Sequence, residues 1–284
     1  MTTRPELAHQ QLGTGEDVVL VHGLGANRAF WYPLGTALAQ RHRVTLYDLR
    51  GHGYSEKPAT GYTAAEQAAD LIGLMDRLGI RRAALVGHSF GGALALEAAI
   101  AAPERVSHLA LMDTRIQRLQ PELRLHDVGE LSAFEQAVAR QEGGDWSQEP
   151  EIGFRFLEAA ARHKVAGIDL GIKDEFTPFG EGRGAMRAAR QWLSLIDQTS
   201  LSTDFRSPGA EISAYSAIRM PCLLQYASHS RAGRSAQELQ RLIPQARYVE
   251  VPHSGHFFPM THPAAVRTAV DALLALPSPP PDGA

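Results

Sequence analysis

Gly87-His88-Ser89-Phe90-Gly91 sets a serine between two glycines, each two residues away. The residues before it, Arg82 to Val86, read as a short buried strand, and Gly91 to Ala101 after it reads as an alanine-rich helix. A serine on such a strand-to-helix turn is a nucleophile elbow. The turn is so tight that a β-carbon at either glycine would collide with the neighbouring strand or helix. Ser89 is therefore the candidate nucleophile, against the plainer reading of a glycine-rich turn with a helix-capping serine. A hydroxyl is a weak nucleophile by itself, so this chemistry also needs a base and donors for a developing oxyanion.

Three further blocks follow the same order along the chain as in a known family: His22-Gly-Leu-Gly25, Asp48-Leu-Arg-Gly-His-Gly-Tyr-Ser55 and Val251-Pro-His-Ser-Gly-His256. With the Ser89 block they make the sequence resemble the α/β-hydrolase family from about Asp17 to Leu276. The resemblance implies that Leu24 and Phe90 supply backbone N–H groups to the oxyanion. It also implies that His256, which follows Gly255 in the loop after the last strand, is the base, leaving His253 as a pocket-wall or surface residue. The commonest family pattern puts an aspartate after the strand Pro221 to Tyr226, yet that loop, Ala227-Ser-His-Ser-Arg-Ala-Gly233, holds no carboxylate. A minority of the family carries the acid one strand earlier. Asp113 occupies that place, so it is the expected third member. A carboxylate such as Asp204, or a pair without any acid, remains the alternative; Glu238 within a helix and Glu250 within a strand are poorly placed.

A serine nucleophile points to acyl transfer through an acyl-enzyme, with no metal or organic cofactor. The expected substrate is a small hydrophobic ester, lactone or thioester. A thioesterase or acyl-transferring cyclase, a carbon–carbon bond hydrolase, and a non-catalytic receptor of the same fold are the other readings. His22, His88, Phe179, Trp192 and Phe257 are the expected pocket residues, with Phe176 as a further candidate. For His22 the competing role is a buried histidine bonding loop backbone, and the aromatics could equally pack between helices.

These residues need a frame. Asp17 to His22, Arg43 to Asp48, Arg82 to Val86, Val106 to Met112, Pro221 to Tyr226 and Tyr248 to Val251 read as strands, several ending in glycine turns. Helical patterns over Phe30 to Arg41, Thr63 to Leu78, Gly91 to Ala101, Gln237 to Leu242 and Pro263 to Leu276 alternate with them. Thr63 and Glu66 have the spacing of a capping box. The alternation predicts an α/β fold, a mostly parallel twisted sheet covered by helices on both faces. It lapses from 114 to 216, where Glu130 to Arg140, Phe154 to Arg162 and Ala185 to Ile196 are helical. This predicts a core of 1–113 and 217–276, a helical cap inserted at 114–216 and a disordered tail at 277–284.

The 284 residues carry 28 Lys and Arg against 31 Asp and Glu, a net charge of −3, which disfavours nucleic acid and anionic membrane surfaces as partners. The single cysteine, Cys222, excludes an intramolecular disulfide. Met1 to Gln10 is polar and no long apolar run exists, so the expected location is the cytoplasm.

Overall fold

A computed structural model describes residues 4–129, 131–172, 178–180 and 183–278, without the side chain of Arg183. Phe176 and residues 279–284 of the expected tail lie outside the described residues. Seven strands form one sheet: β1 His9–Leu12, β2 Glu16–Val21, β3 His42–Tyr47, β4 Ala83–His88, β5 Val106–Met112, β6 Cys222–Ala227 and β7 Arg247–Val251. Their order is β1-β3-β2-β4-β5-β6-β7, with β1 antiparallel to β3 and every other pairing parallel. The α/β fold expected from the alternating pattern is present. The parallel strands agree with the apolar runs to within a residue or so at each end. β1 falls in a stretch read as merely polar. Its residues are mostly exposed, because it is an edge strand that buries almost no side chain and so leaves no apolar signal.

The period-two geometry of a strand sends alternate residues to opposite faces. Val19 and Val21 of β2 join Leu85, Leu109, Leu111 and Leu224 in one core, while Val18 and Leu20 join Val86, Ala110, Met112 and Leu223 in the other. The first core is closed by α2 (Ala64–Arg77), α3 (Phe90–Ala101) and α8 (Gly233–Leu242), the second by α1 (Tyr32–Leu38) and α10 (Pro263–Leu274). The expected capping box is formed: Glu66 N–H donates to Thr63 Oγ1 at 3.1 Å and Thr63 N–H to Glu66 Oε2 at 3.2 Å. Cys222 is buried in β6, where burial pushes its thiol up to about 12, consistent with a packing role.

Between β5 and β6 lie α4 (Ala133–Glu142), α5 (Ile152–Ala166), α6 (Arg183–Gln198) and the single turn α7 (Leu201–Asp204). Val138, Trp146, Ile152 and Phe156 form a small cluster of their own. Ala189, Trp192, Leu195, Leu201 and Phe205 instead belong to the first sheet core. The segment after β6 adds α9 (Phe258–Thr261) just past the histidine loop.

The crossing of α3 over β2 and β4 leaves no room for side chains. A β-carbon on Gly91 would overlap the Val21 and His22 carbonyls, lying 2.8 Å from the Val21 carbonyl carbon, and one on Gly87 would lie 2.6 Å from Gly92 Cα. Because these neighbours are backbone, Gly91→Ala is expected to cost about 3 kcal/mol or more, at the upper end of overpacking penalties. Gly184→Ala, in α6 with nothing near the added carbon, is expected to be neutral or stabilising, since alanine is the better helix former. Chemical denaturation of the two variants checks both.

Candidate active site

Ser89 stands between β4 and α3 with φ 56° and ψ −126°, the left-handed region that a side chain enters only at a cost. Its N–H donates to the Met112 carbonyl of β5 at 2.9 Å, which pins the turn to the neighbouring strand. Gly23 faces it directly: a β-carbon there would lie 3.0 Å from Ser89 Cβ. Among the described residues the N–H groups of Leu24, beside Gly23, and Phe90, the first residue of α3, have no acceptor.

His256 reaches Ser89 from the loop after β7. Its Nε2 lies 3.1 Å from Ser89 Oγ, and its Nδ1 lies 2.7 Å from Asp113 Oδ2. Asp113 follows β5, also with positive φ (45°), and only 1% of its side chain is exposed. Burial pushes the Asp113 carboxyl up, but the bond and charge of His256, with donors from Ser230 and Ala227, outweigh this and hold it below the usual carboxylate range. The Ala227 N–H donates to Oδ1 at 3.1 Å. The loop after β6, which carries no acid, thus serves the acid of the adjacent strand. An ionised carboxylate can only accept, so Nδ1 of His256 carries the proton and Nε2 presents its lone pair to the serine.

The alternative acids are elsewhere. Asp204 Oδ2 accepts the Tyr62 N–H at 2.9 Å and also bonds Ser200 Oγ, Glu238 on α8 pairs with Arg241, and Glu250 on β7 is exposed. His253 is exposed and has φ 51°.

His22 and His88, expected at the pocket wall, are corrected: both are almost wholly buried and bond backbone. His22 Nδ1 donates to the Gly23 carbonyl at 2.8 Å while its Nε2 accepts the Leu49 N–H at 3.0 Å, so it ties the Gly23 loop to the end of β3. His88 Nε2 donates to the His256 carbonyl at 2.8 Å, and its ring stacks on Phe30 at 4.9 Å. Burial lowers both histidines to about 3, helped by nearby His52 for His22 and by His256 for His88. His52 accepts the Gly25 N–H at 3.2 Å, and its ring centre lies 5.4 Å from that of His22. No spacing rule announces such bonds to backbone.

Trp192 is only 2% exposed and packs on Phe154, but it also borders a cleft with Gly25, Asn27, His52 and Gln191. Phe179 is half-buried against the first sheet core, with φ 68°. Phe257 is half-buried, its ring 5.0 Å from that of His256. The cleft begins at Gly25, next to Leu24, and its walls do not include Ser89 or His256. Among the described residues no group of three or more His, Cys, Asp or Glu could hold a metal ion, and no helix is long and apolar enough to cross a membrane.

The family described as alpha/beta hydrolase fold matches residues 18–263. The chain belongs to it. Over 271 residues the chain is 29% identical to BpoC of Mycobacterium tuberculosis, named as a non-heme bromoperoxidase, covering 93% of this chain and 95% of that protein. RutD of Azorhizobium caulinodans, named as a carbamate hydrolase, is 37% identical over 108 residues; that stretch spans 38% of this chain and only 41% of the relative. Among solved structures, the enol-lactonase from Burkholderia xenovorans LB400 superposes with a TM-score of 0.61 at 25% identity, covering 96% of this chain and 97% of that one. Est816, titled an N-acyl homoserine lactone degrading enzyme, does so at 0.67 and 21% identity, over 94% and 96% of the two chains, a likeness of fold.

The buried histidines make stability depend on pH. Unfolded, each takes a proton near its ordinary value of about 6.5; folded, each stays neutral down to about 3. Between those limits the unfolded chain binds more protons, so stability falls as pH drops through the window. Replacing His88 with glutamine, which can still donate to the His256 carbonyl, removes one such proton. The slope of unfolding free energy against pH, measured by urea titration between about pH 4 and 6, is expected to flatten by roughly 1.4 kcal/mol per pH unit. An unchanged slope would mean that His88 is charged in the folded protein.

Proposed function

We propose that the protein is a serine hydrolase cleaving an ester, lactone or thioester with a hydrophobic part through a covalent acyl-enzyme. The observation that carries this reading is His256 bonded at once to Ser89 and Asp113. In the first step Ser89 Oγ attacks the acyl carbon as its proton passes to His256 Nε2, and the carbonyl oxygen, now an anion, takes up the N–H groups of Leu24 and Phe90. The imidazolium is stabilised by Asp113. It then returns the proton to the leaving alcohol, thiol or opened ring oxygen, and water repeats the sequence on the acyl-enzyme to release the acid.

The names borne by relatives support a carbonyl bonded to a heteroatom as the reacting group: a carbamate in one case and an enol lactone in the other. The helices between β5 and β6 act as a cap in this reading, with α6 forming the wall of the cleft that starts at Gly25.

A fluorophosphonate is expected to label one serine, with Ser89→Ala abolishing both labelling and turnover of 4-nitrophenyl esters. Labelling that survives the substitution removes Ser89 from the mechanism. Asp113→Asn can donate to Nδ1 and so favours the tautomer with its proton facing the serine. It is expected to lower kcat by roughly 10² or more, while Glu238→Gln and Glu250→Gln retain most activity. Retention by Asp113→Asn as well would reduce the machinery to Ser89 and His256.

A further inference from the structure

The cleft beside Gly25, with room for little more than one water, adjoins a wider groove of about 500 Å³, and Gly51, Gly53 and Gln191 line both. One continuous surface therefore leads from the neighbour of Leu24, past Trp192, to the outer part of α6. The wider groove is walled by Lys57, Arg187 and Arg190 together with Ser55, Met186 and Ser194, and no carboxylate among the described residues lines it.

The chain has more acids than bases, and it pairs its arginines freely elsewhere: Arg43 with Asp17, Arg50 with Asp70, Arg115 with Glu151, Arg231 with Glu135. The three cations of the groove have no carboxylate partner among the described residues. Lys57 Nζ donates to Ser194 Oγ at 2.5 Å and to Gln198 Oε1 at 2.7 Å, both neutral. Arg187 donates to Tyr54 OH at 2.8 Å, with its guanidinium 4.4 Å from the centre of that ring. Arg190 has no acceptor among the described residues. Arg187 and Arg190, three residues apart on one helix, also repel each other. Along the narrower cleft the wall residue Trp192 carries an indole N–H that is buried without an acceptor. Positive charge thus accumulates in the wider groove with no carboxylate among the described residues to match it.

We propose that this groove receives an anionic group, a carboxylate or a phosphate, carried at the far end of a substrate whose acyl carbon reaches Ser89. The proposal rests on the serine hydrolase reading and narrows it to acidic esters, lactones or thioesters. Arginine suits the task, since its planar fork meets two oxygens of a carboxylate or phosphate at once, while Lys57 adds a point charge at the groove wall.

The activity test compares 4-nitrophenyl monoesters of dicarboxylic acids, from succinate to sebacate, with the neutral acyl esters of matching length. The wild-type protein is expected to favour an acidic ester of one length by about tenfold or more in kcat/KM. The double variant Arg187→Gln, Arg190→Gln should reduce that ratio by about tenfold, chiefly through KM, and added salt should shrink it as well. A binding test without turnover uses Ser89→Ala titrated calorimetrically with adipate, hexyl phosphate and hexanol. Binding of adipate or of hexyl phosphate, lost when both arginines are replaced, supports the groove and tells carboxylate from phosphate. No preference for acidic esters, a ratio unchanged by the arginine substitutions, or no binding of either anion overturns it. If the anions bind but no ester is turned over and no fluorophosphonate reacts, the hydrolase reading fails while the anion site stands.

Discussion

The approach of β4, α3 and β5 at Ser89 is the constraint from which the remaining geometry follows. A serine held at positive φ sits roughly 1–3 kcal/mol above a relaxed backbone, and such strain persists only where the surroundings leave no other choice. Here Gly87 and Gly91 let α3 press onto the strands, Gly92 makes room for Thr114, Gly23 lets the β2 loop close over the serine, and Met112 accepts its N–H. That last bond matters beyond the turn itself. His88 pairs with Met112 in the β4–β5 ladder, so the residues that follow, Ser89 and Asp113, leave the sheet side by side, both at positive φ. The spacing between hydroxyl and carboxylate is thereby set by strand register.

His256 lacks such a frame. Its side chain is 39% exposed, and it arrives on a loop between β7 and α9. Two bonds hold it at opposite ends: Asp113 takes the ring N–H, and His88 donates to the backbone carbonyl. The second bond favours a charged His88, yet burial and the nearby His256 keep it neutral. Its ring centre lies 4.6 Å from that of His256, and a cation there would oppose the formation of an imidazolium. Burial, which keeps His88 uncharged, therefore favours the base role proposed for His256 as well as the packing against Phe30. His22 and His52 do the equivalent work on the other side of the serine, since each ring bonds the backbone of the Gly23–Gly25 loop or of the residues that follow β3.

The parallel strands, α3 and the capped α2 were legible because buried strands are apolar runs, helices have a period, and Thr63 with Glu66 is a local signal. Asp113 was picked out through the family resemblance: the loop after β6 contains no acid, and a minority of the family carries the acid one strand earlier. What could not be read is how that empty loop is used. Ala227 supplies a backbone N–H, which every residue but proline possesses, and Ser230 is an ordinary loop serine. The same limit applies to His22 and His88, whose partners are carbonyl and amide groups with no sequence identity, and to β1, whose pairing with β3 needs only backbone. Trp192 combines the two roles open to it, since one side of its indole closes a core while another borders a cleft.

The helices between β5 and β6 divide by what they pack against. Val138, Trp146, Ile152 and Phe156 of the α4 and α5 region make a separate cluster, and a change there is felt mainly within it. Buried residues of α6 belong to the sheet's own core, and its outer side is tied to the loop after β3 through Gln191 to the Gly53 carbonyl, Arg187 to Tyr54, and Lys57 to Ser194. That loop is itself fixed by Asp48, which accepts the Arg28 and Tyr54 N–H groups at 2.7 and 3.0 Å. The wall of the cleft is consequently coupled to the same strand ends that hold the Gly23 loop and Ser89. Exposed side chains on α6 can change the cleft wall without altering the sheet, whereas moving the helix itself would disturb the sheet core and the loops that hold the candidate oxyanion donors.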